Sequence, residues 1–268
     1  MIAVLGAGVM GEVFVAGLIR GGTPAARIVI SEKREDRAHE VARAHGVHAL
    51  PAVDAVREAT TVLILVKPQD MAGLLAEISG HLADGTVVVS LAAGIRLDFL
   101  ESSLPSGVAA VRAMPNTPAL VDLGVTAITP GATCSAVQAD YVESLLSAVG
   151  PVVRVPEDLQ DAVTATSGSG PAYVFLLIES MIAAAQDLGL DADTARQLVT
   201  QTVLGAATMA AQPGADAATL RQQVTSPNGT TAAALAAFEE GGFRDLVLRA
   251  MTAARDRGRE LGRPTPSA

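Results

Sequence analysis

The sequence predicts an α/β fold in two parts: a doubly wound sheet over residues 1–155, then an all-helical domain over residues 156–268. Three observations point there. Up to residue 155, short apolar β-branched runs alternate with helical stretches, the pattern of a parallel sheet covered on both faces. From Glu157 onward the strand-like runs stop, and long stretches rich in Ala, Leu, Gln and Met take over. A glycine turn of defined spacing stands at the first strand–helix junction.

The expected strands are Ile2–Leu5, Arg27–Ile30, Thr61–Val66, Thr86–Ser90, Val108–Arg112, Val125–Thr129 and Val152–Val155. Val62-Leu63-Ile64-Leu65-Val66 is apolar without alternation, which suits a strand buried on both faces. Helical composition falls between them at Val13–Ile19, Glu35–Ala44 and Met71–Ser79. The second half predicts helices over Tyr173–Leu188, Asp191–Ala211, Ala217–Val224, Thr231–Glu240 and Phe243–Leu261. Pro171, Pro213 and Pro227 punctuate them, Gly189 and Gly241-Gly242 mark helix ends, and the tail Arg263–Ala268 is expected to fray. Helices this apolar need burial on most faces, and a domain of ~110 residues has little interior to offer. A second copy of the chain is therefore expected to pack against them.

Composition narrows the partners. The chain has 268 residues, 50% hydrophobic and 18% charged, which excludes global disorder. Its net charge of −9 is shared by both halves, so neither offers a basic face and nucleic acid is not an expected partner. The single cysteine, Cys134, cannot form an internal disulfide and suits a reducing, cytoplasmic home. The longest charge-free run, between Arg196 and Asp216, carries several Gln and Thr residues and Pro213. The run between Asp161 and Glu179 is expected to break at Ser167-Gly168-Ser169-Gly170-Pro171, so no membrane span is expected. Met1–Leu5 has no basic flank and runs straight into a glycine turn, so no secretory signal is expected there.

That turn is Gly6-Ala7-Gly8-Val9-Met10-Gly11, a G-x-G-x-x-G between the first strand and a helix. In this Rossmann-like context Gly6 makes the tight bend, Gly8 admits a pyrophosphate to the backbone, and Gly11 allows close helix–strand packing. The helix N-terminus adds unpaired N–H groups and a partial positive charge. The end of the second strand selects the cofactor. Ser31 stands at the strand end, followed by Glu32, Lys33 and Arg34. A hydroxyl with two cations suits a ribose 2′-phosphate and favours NADPH, whereas Glu32 as the ribose acid keeps NADH open. Val66-Lys67-Pro68 and Ala92-Ala93-Gly94 follow later strands, where open α/β sheets bind ligands.

Elimination limits the chemistry of the helical half. All four histidines (His39, His45, His48, His81) and both lysines (Lys33, Lys67) lie in the first half. No metal-ligand spacing is present, and a surface or helix-end role is expected for His45 and His48. Two motifs remain: Ala165–Tyr173, a glycine–serine kink with Pro171 at the first turn of a helix, and Val224-Thr225-Ser226-Pro227-Asn228-Gly229-Thr230-Thr231. The second opens a helix with hydroxyls and amides, which suits either a carboxylate or plain capping by Ser226 or Thr230. Without His or Lys, reduction of an already protonated C=N bond needs less acid help than reduction of a carbonyl. A β-hydroxyacid dehydrogenase, which looks to a lysine in its helical half, fits less well. So does a non-catalytic nucleotide sensor, which needs no carboxylate pocket.

Taken together, the glycine turn, Val66-Lys67-Pro68, Ala92-Ala93-Gly94, Arg112-Ala113-Met114-Pro115-Asn116-Thr117-Pro118, Ser167–Tyr173 and Ser226–Thr231 resemble the pyrroline-5-carboxylate reductase family over nearly the whole chain. The resemblance implies hydride transfer from NADPH or NADH to 1-pyrroline-5-carboxylate, giving L-proline. It implies that Ser226, Gly229 and Thr230 hold the substrate carboxylate and that Thr231, the catalytic candidate, faces the ring nitrogen. It assigns cofactor binding to Gly6, Gly8, Val9, Met10, Gly11, Ser31, Lys33, Arg34, Val66, Lys67, Pro68, Ala92, Ala93 and Asn116. It also implies an all-α dimerisation domain, hence a homodimer at least, with a larger ring of dimers as the fuller assembly. Asn228 departs from the family's Ser-Pro-Gly-Gly-Thr-Thr, but asparagine tolerates a left-handed backbone better than other non-glycine residues.

Overall fold

A computed structural model describes residues 1–262; the tail Arg263–Ala268 lies outside the described residues. The chain divides into two compact units. One is Met1–Ser169 with residues 254–262, and the other is Gly170–Ala253.

The first unit contains β1 (Ile2–Leu5), α1 (Val9–Arg20), β2 (Ile28–Ser31), α2 (Glu35–His45), β3 (His48–Ala49), α3 (Ala52–Arg57) and β4 (Thr61–Ile64). Then follow α4 (Met71–Ile78), β5 (Val87–Ser90), α5 (Leu97–Ser103), β6 (Ala109–Met114), β7 (Thr126–Pro130), α6 (Ala136–Leu146), β8 (Val152–Arg154) and the short α7 (Gln160–Val163). The strands form one sheet in the order β3-β2-β1-β4-β5-β6-β7-β8. All neighbours run parallel except β6 and β7, which pair antiparallel with Val111 opposite Pro130. A parallel return needs a crossover, usually a helix; the β6–β7 connection holds only a 3-10 turn at Thr117–Val121, so the chain comes back antiparallel.

Each central strand is buried along its whole length. Alternate residues feed two cores. On one face Val4, Ile30 and Leu63 pack with Phe14, Val15 and Leu18 of α1, Val41 of α2 and Val142 of α6. On the other, Leu5, Val29 and Ile64 pack with Val56 of α3, Met71, Leu75 and Ile78 of α4, and Leu100 of α5. This is the doubly wound arrangement the apolar runs predict. The sequence reading did not anticipate β3, α3, α5 or α6. The last was marked in the sequence: Ser135 accepts from the Gln138 N–H while the Gln138 side chain accepts from the Ser135 N–H, a capping box.

The second unit holds α8 (Gly170–Asp187), α9 (Ala192–Ala210), α10 (Ala217–Gln223), α11 (Thr230–Glu240) and most of α12 (Phe243–Leu261). Asp191 caps α9 by accepting from the Asp193 and Thr194 amides, and Asp216 caps α10 through the Thr219 amide. Gly189 and Gly242, at φ +101° and +70°, end α8 and turn α11 into α12. One expectation is corrected. Ser167–Pro171 does not break the helix, because a π turn at Thr164–Gly168 takes up the irregularity and the helical run continues from Glu157 to Asp187. By length and composition that run suffices to cross a bilayer, and its apolar window is not buried within the chain. The helices of the second half are bare throughout: α8, α10, α11 and α12 bury no residue and α9 only Ala195 and Val199.

Candidate active site

Strand order reverses at β1, whose neighbours are β2 on one side and β4 on the other. In an open α/β sheet this is where the crevice at the strand C-termini receives a ligand. Leu5 is in register with Ser31 and with Ile64, and Ile64 with Ser90, so the following loops leave the sheet at one level.

The glycine turn tests directly for a dinucleotide. Gly6 has φ +96°, and a Cβ there would lie 2.8 Å from the carbonyl of Leu65. A Cβ on Gly11 would overlap the Gly6 carbonyl oxygen. At Gly8 a Cβ would meet nothing within 4 Å, so this is the open side of the turn. Gly8 precedes α1 and gives no side-chain cap, which leaves the first-turn amides to a ligand. Val9 is exposed and Met10 half-buried on the same turn. The three glycines thus fit the three tasks the spacing assigns them.

Around this turn, Ser31 is half-buried at the end of β2, and its carbonyl accepts from the Gly6 N–H at 2.7 Å. Lys33 and Arg34 are exposed. The Lys33 ammonium lies 2.8 Å from Asp70, which raises its pKa above the ordinary lysine value. Glu32 accepts from the Arg34 N–H at 3.2 Å, so its carboxylate engages its own loop. Val66 is half-buried, while Lys67 and Pro68 are exposed where a 3-10 turn begins. Ala92 is buried, Ala93 exposed, and Gly94 has φ +76°. Asn116 follows β6, and its Oδ1 accepts from the Val125 N–H at 2.9 Å. Arg112 is structural: only 3% exposed, it meets Glu157 at 2.7 Å and Asp161 at 3.8 Å. A buried guanidinium must be paired in this way.

In the second unit the Ser226–Thr231 loop opens α11. Asn228 adopts φ +58°, a left-handed conformation that asparagine tolerates better than other non-glycine residues. The Gly229 N–H donates to the Ser226 carbonyl at 3.1 Å, and the Ser226 hydroxyl sits beside Gly229 where a Cβ would overlap it. Gly229 is the residue before the helix and supplies no side-chain cap, so neither Ser226 nor Thr230 does the capping. Thr231 is half-buried; Ser226 and Thr230 are exposed. An uncapped first turn ringed by hydroxyls can bind a carboxylate.

The first unit thus gathers Gly6–Gly11, Ser31–Arg34, Val66–Pro68, Ala92-Ala93 and Asn116 at one end of its sheet, and the second keeps Ser226–Thr231 on its own loop. Asp70, Glu12 and Arg37 were missed. Glu12 and Arg37 lie just beyond the two motifs the sequence did mark, an acid after the last glycine and a cation in the first turn of α2. His45 takes the helix-end role expected of it, as the last residue of α2.

The model of pyrroline-5-carboxylate reductase dimerisation matches residues 157–261, and one described as NADP oxidoreductase, coenzyme F420-dependent, matches residues 1–94. Pyrroline-5-carboxylate reductase from Mycobacterium tuberculosis is 42% identical over 99% of this chain and 97% of its own length. The chain belongs to the pyrroline-5-carboxylate reductase family. The family's enzyme from Pseudomonas aeruginosa is also 42% identical, over 97% and 96% of the two chains. Among solved structures, the pyrroline-5-carboxylate reductase of Coxiella burnetii superposes with a TM-score of 0.94 at 38% identity, covering 98% of each chain. The Plasmodium falciparum pyrroline carboxylate reductase, described with NADP bound, superposes at 0.84 with 26% identity and 98% coverage of each. Members of this family are NAD(P)-dependent oxidoreductases, and the helical half carries the family's dimerisation domain.

Proposed function

We propose that the chain reduces the C=N bond of 1-pyrroline-5-carboxylate to L-proline, the last step of proline biosynthesis. Membership of the family over almost the full length carries this reading, and the uncapped, hydroxyl-lined start of α11 supports it at the residue level. The backbone amides at Thr230 and Thr231, with the Ser226 hydroxyl beside Gly229, hold the substrate carboxylate against the positive end of the α11 dipole, while the Gly229 N–H closes the loop on the Ser226 carbonyl. Thr231 faces the ring nitrogen and orients it. The imine enters protonated, so its nitrogen needs no further proton when the double bond is reduced, which is why this half manages without His or Lys.

Gly6, Gly8, Val9, Met10 and Gly11 hold the cofactor's pyrophosphate, with Val66, Lys67, Pro68, Ala92, Ala93 and Asn116 along the rest of it. When bound, the nicotinamide supplies the hydride. Ser31, Lys33 and Arg34 read the ribose. The engagement of Glu32 with the Arg34 amide supports NADPH over NADH, since it draws away the acid that an NAD site would use.

The functional boundary follows the sequence, with residues 1–155 binding nucleotide and 156–268 binding substrate and the second copy. The apolar helices that the chain leaves bare are covered by that copy rather than by lipid, giving at least a homodimer and, in the fuller assembly, a ring of dimers. The lone thiol of Cys134 suits a cytoplasmic setting. The deciding assay follows NADPH and NADH consumption with pyrroline-5-carboxylate beside a panel of keto acids and other cyclic imines. Turnover confined to cyclic imines, with higher kcat/KM for NADPH, is expected; a keto acid as the best substrate contradicts the proposal.

A further inference from the structure

Arg37, in the first turn of α2, reaches back to the glycine turn. Its Nε donates to the Ala7 carbonyl at 3.1 Å, its Nη1 lies 2.8 Å from Glu40, and its Nη2 bonds Glu12. The other oxygen of Glu12 is 3.1 Å from Nε2 of His45, at the far end of α2. The Arg37 side chain is only 13% exposed. Two carboxylates neutralise this guanidinium, so it adds little net charge for an anion to feel. Its remaining effect is directional.

Ala7 stands between Gly6 and Gly8, the residues with most conformational freedom in the turn. In a planar trans peptide the C=O and N–H point opposite ways, so fixing the Ala7 carbonyl also fixes the Gly8 N–H, turned away from Arg37. Gly8 is the open residue of the turn, where a Cβ would meet nothing within 4 Å. Ordering this peptide before the ligand arrives removes a cost that binding would otherwise bear. We propose that Arg37, held by Glu40 and by a Glu12 that His45 in turn grips, is a positioning residue that presets the Gly8 amide for the pyrophosphate of the cofactor. It rests on the dinucleotide reading of the turn.

The test uses the full-length protein and calorimetric titration with NADPH and NADH, alongside steady-state kinetics and a urea midpoint. Arg37→Met should weaken the tighter dinucleotide about 10-fold and raise its KM to match, with kcat and the KM for the imine within about twofold of wild type. Arg37→Lys, which carries a point charge without the fork, should fall between the two. Dinucleotide affinity unchanged in a folded Arg37→Met protein overturns the proposal, as does an equal loss in the KM of both substrates. If Arg37→Met does not fold, Arg37→Lys decides: about threefold weaker binding supports the proposal, and wild-type affinity ends it. Wild-type protein that binds neither dinucleotide instead defeats the reading of the glycine turn, a separate result.

Discussion

At Glu12 a single carboxylate serves two helices. His45 and Arg37 both hold it, and the hydrogen bond from His45, then that from Arg37, keeps its pKa below the ordinary 4.5 against the opposing effect of burial. A carboxyl with a depressed folded-state pKa contributes stability that is complete above its unfolded value and lost as pH falls through the folded one. Glu12→Gln should therefore unfold more easily than wild type at pH 7, by about 1 kcal/mol for a partly exposed pair, with the gap closing below about pH 4.5. Urea titrations at pH 7 and pH 3.5 check this; a gap that widens in acid contradicts it. In the proposed function Thr231 orients the ring nitrogen of the imine. Because it removes an orienting contact, Thr231→Ala should lower turnover of the imine by on the order of 10²-fold while cofactor affinity stays intact, read by kcat and by calorimetric titration. Residues of the two kinds were not equally legible. The roles of Gly6, Gly8 and Gly11 follow from their spacing because backbone sterics act over a few neighbours. Arg37 was hidden because its partners, Ala7 and Glu12, come close only once α2 packs beside α1.

The loop before α11 shows how one backbone angle supports an element. Asn228 holds φ +58°, a region costing most non-glycine residues about 1–2 kcal/mol. Asn228→Gly should leave stability and the KM for the imine nearly unchanged. Asn228→Val, branched at Cβ, should cost about 1–2 kcal/mol and raise that KM several-fold, checked by denaturant midpoints and initial rates. The long helices α8 and α9 were readable because they carry sustained helical composition with a terminal Gly189 or a capping Asp191, and seven-residue α10 because Asp216 and Pro213 mark its start. Short α3 and α5 offered six and seven residues, too few for a periodic signal, and two-residue β3 is an edge strand with almost no pattern. The reversal at β7 was illegible for another reason: its residues look like any buried strand, and its direction is set by a connection without a helix. Ser167–Pro171 reads as a break because glycine and proline usually end helices, yet Pro171 falls where α8 begins, a position that needs no N–H.

For the whole molecule, the exposed apolar surface of the second unit is the feature a single chain leaves unexplained. Phe175 and Leu176 of α8 are 65% and 63% exposed, and Leu204, Leu246 and Leu248 are also bare. Large apolar surface of this kind belongs to an obligate interface. Sedimentation should therefore find no stable monomer at micromolar concentration, and Phe175→Glu should shift the protein toward monomer with loss of activity; a wild-type monomer that turns over substrate contradicts the dimer. The central claim is that hydride passes from a nicotinamide to the imine carbon. It is tested by supplying a cofactor deuterated at both C4 positions of the nicotinamide together with pyrroline-5-carboxylate, then locating the label by NMR. Proline bearing deuterium at its δ carbon is the predicted result, and unlabelled proline, or no proline, would contradict it.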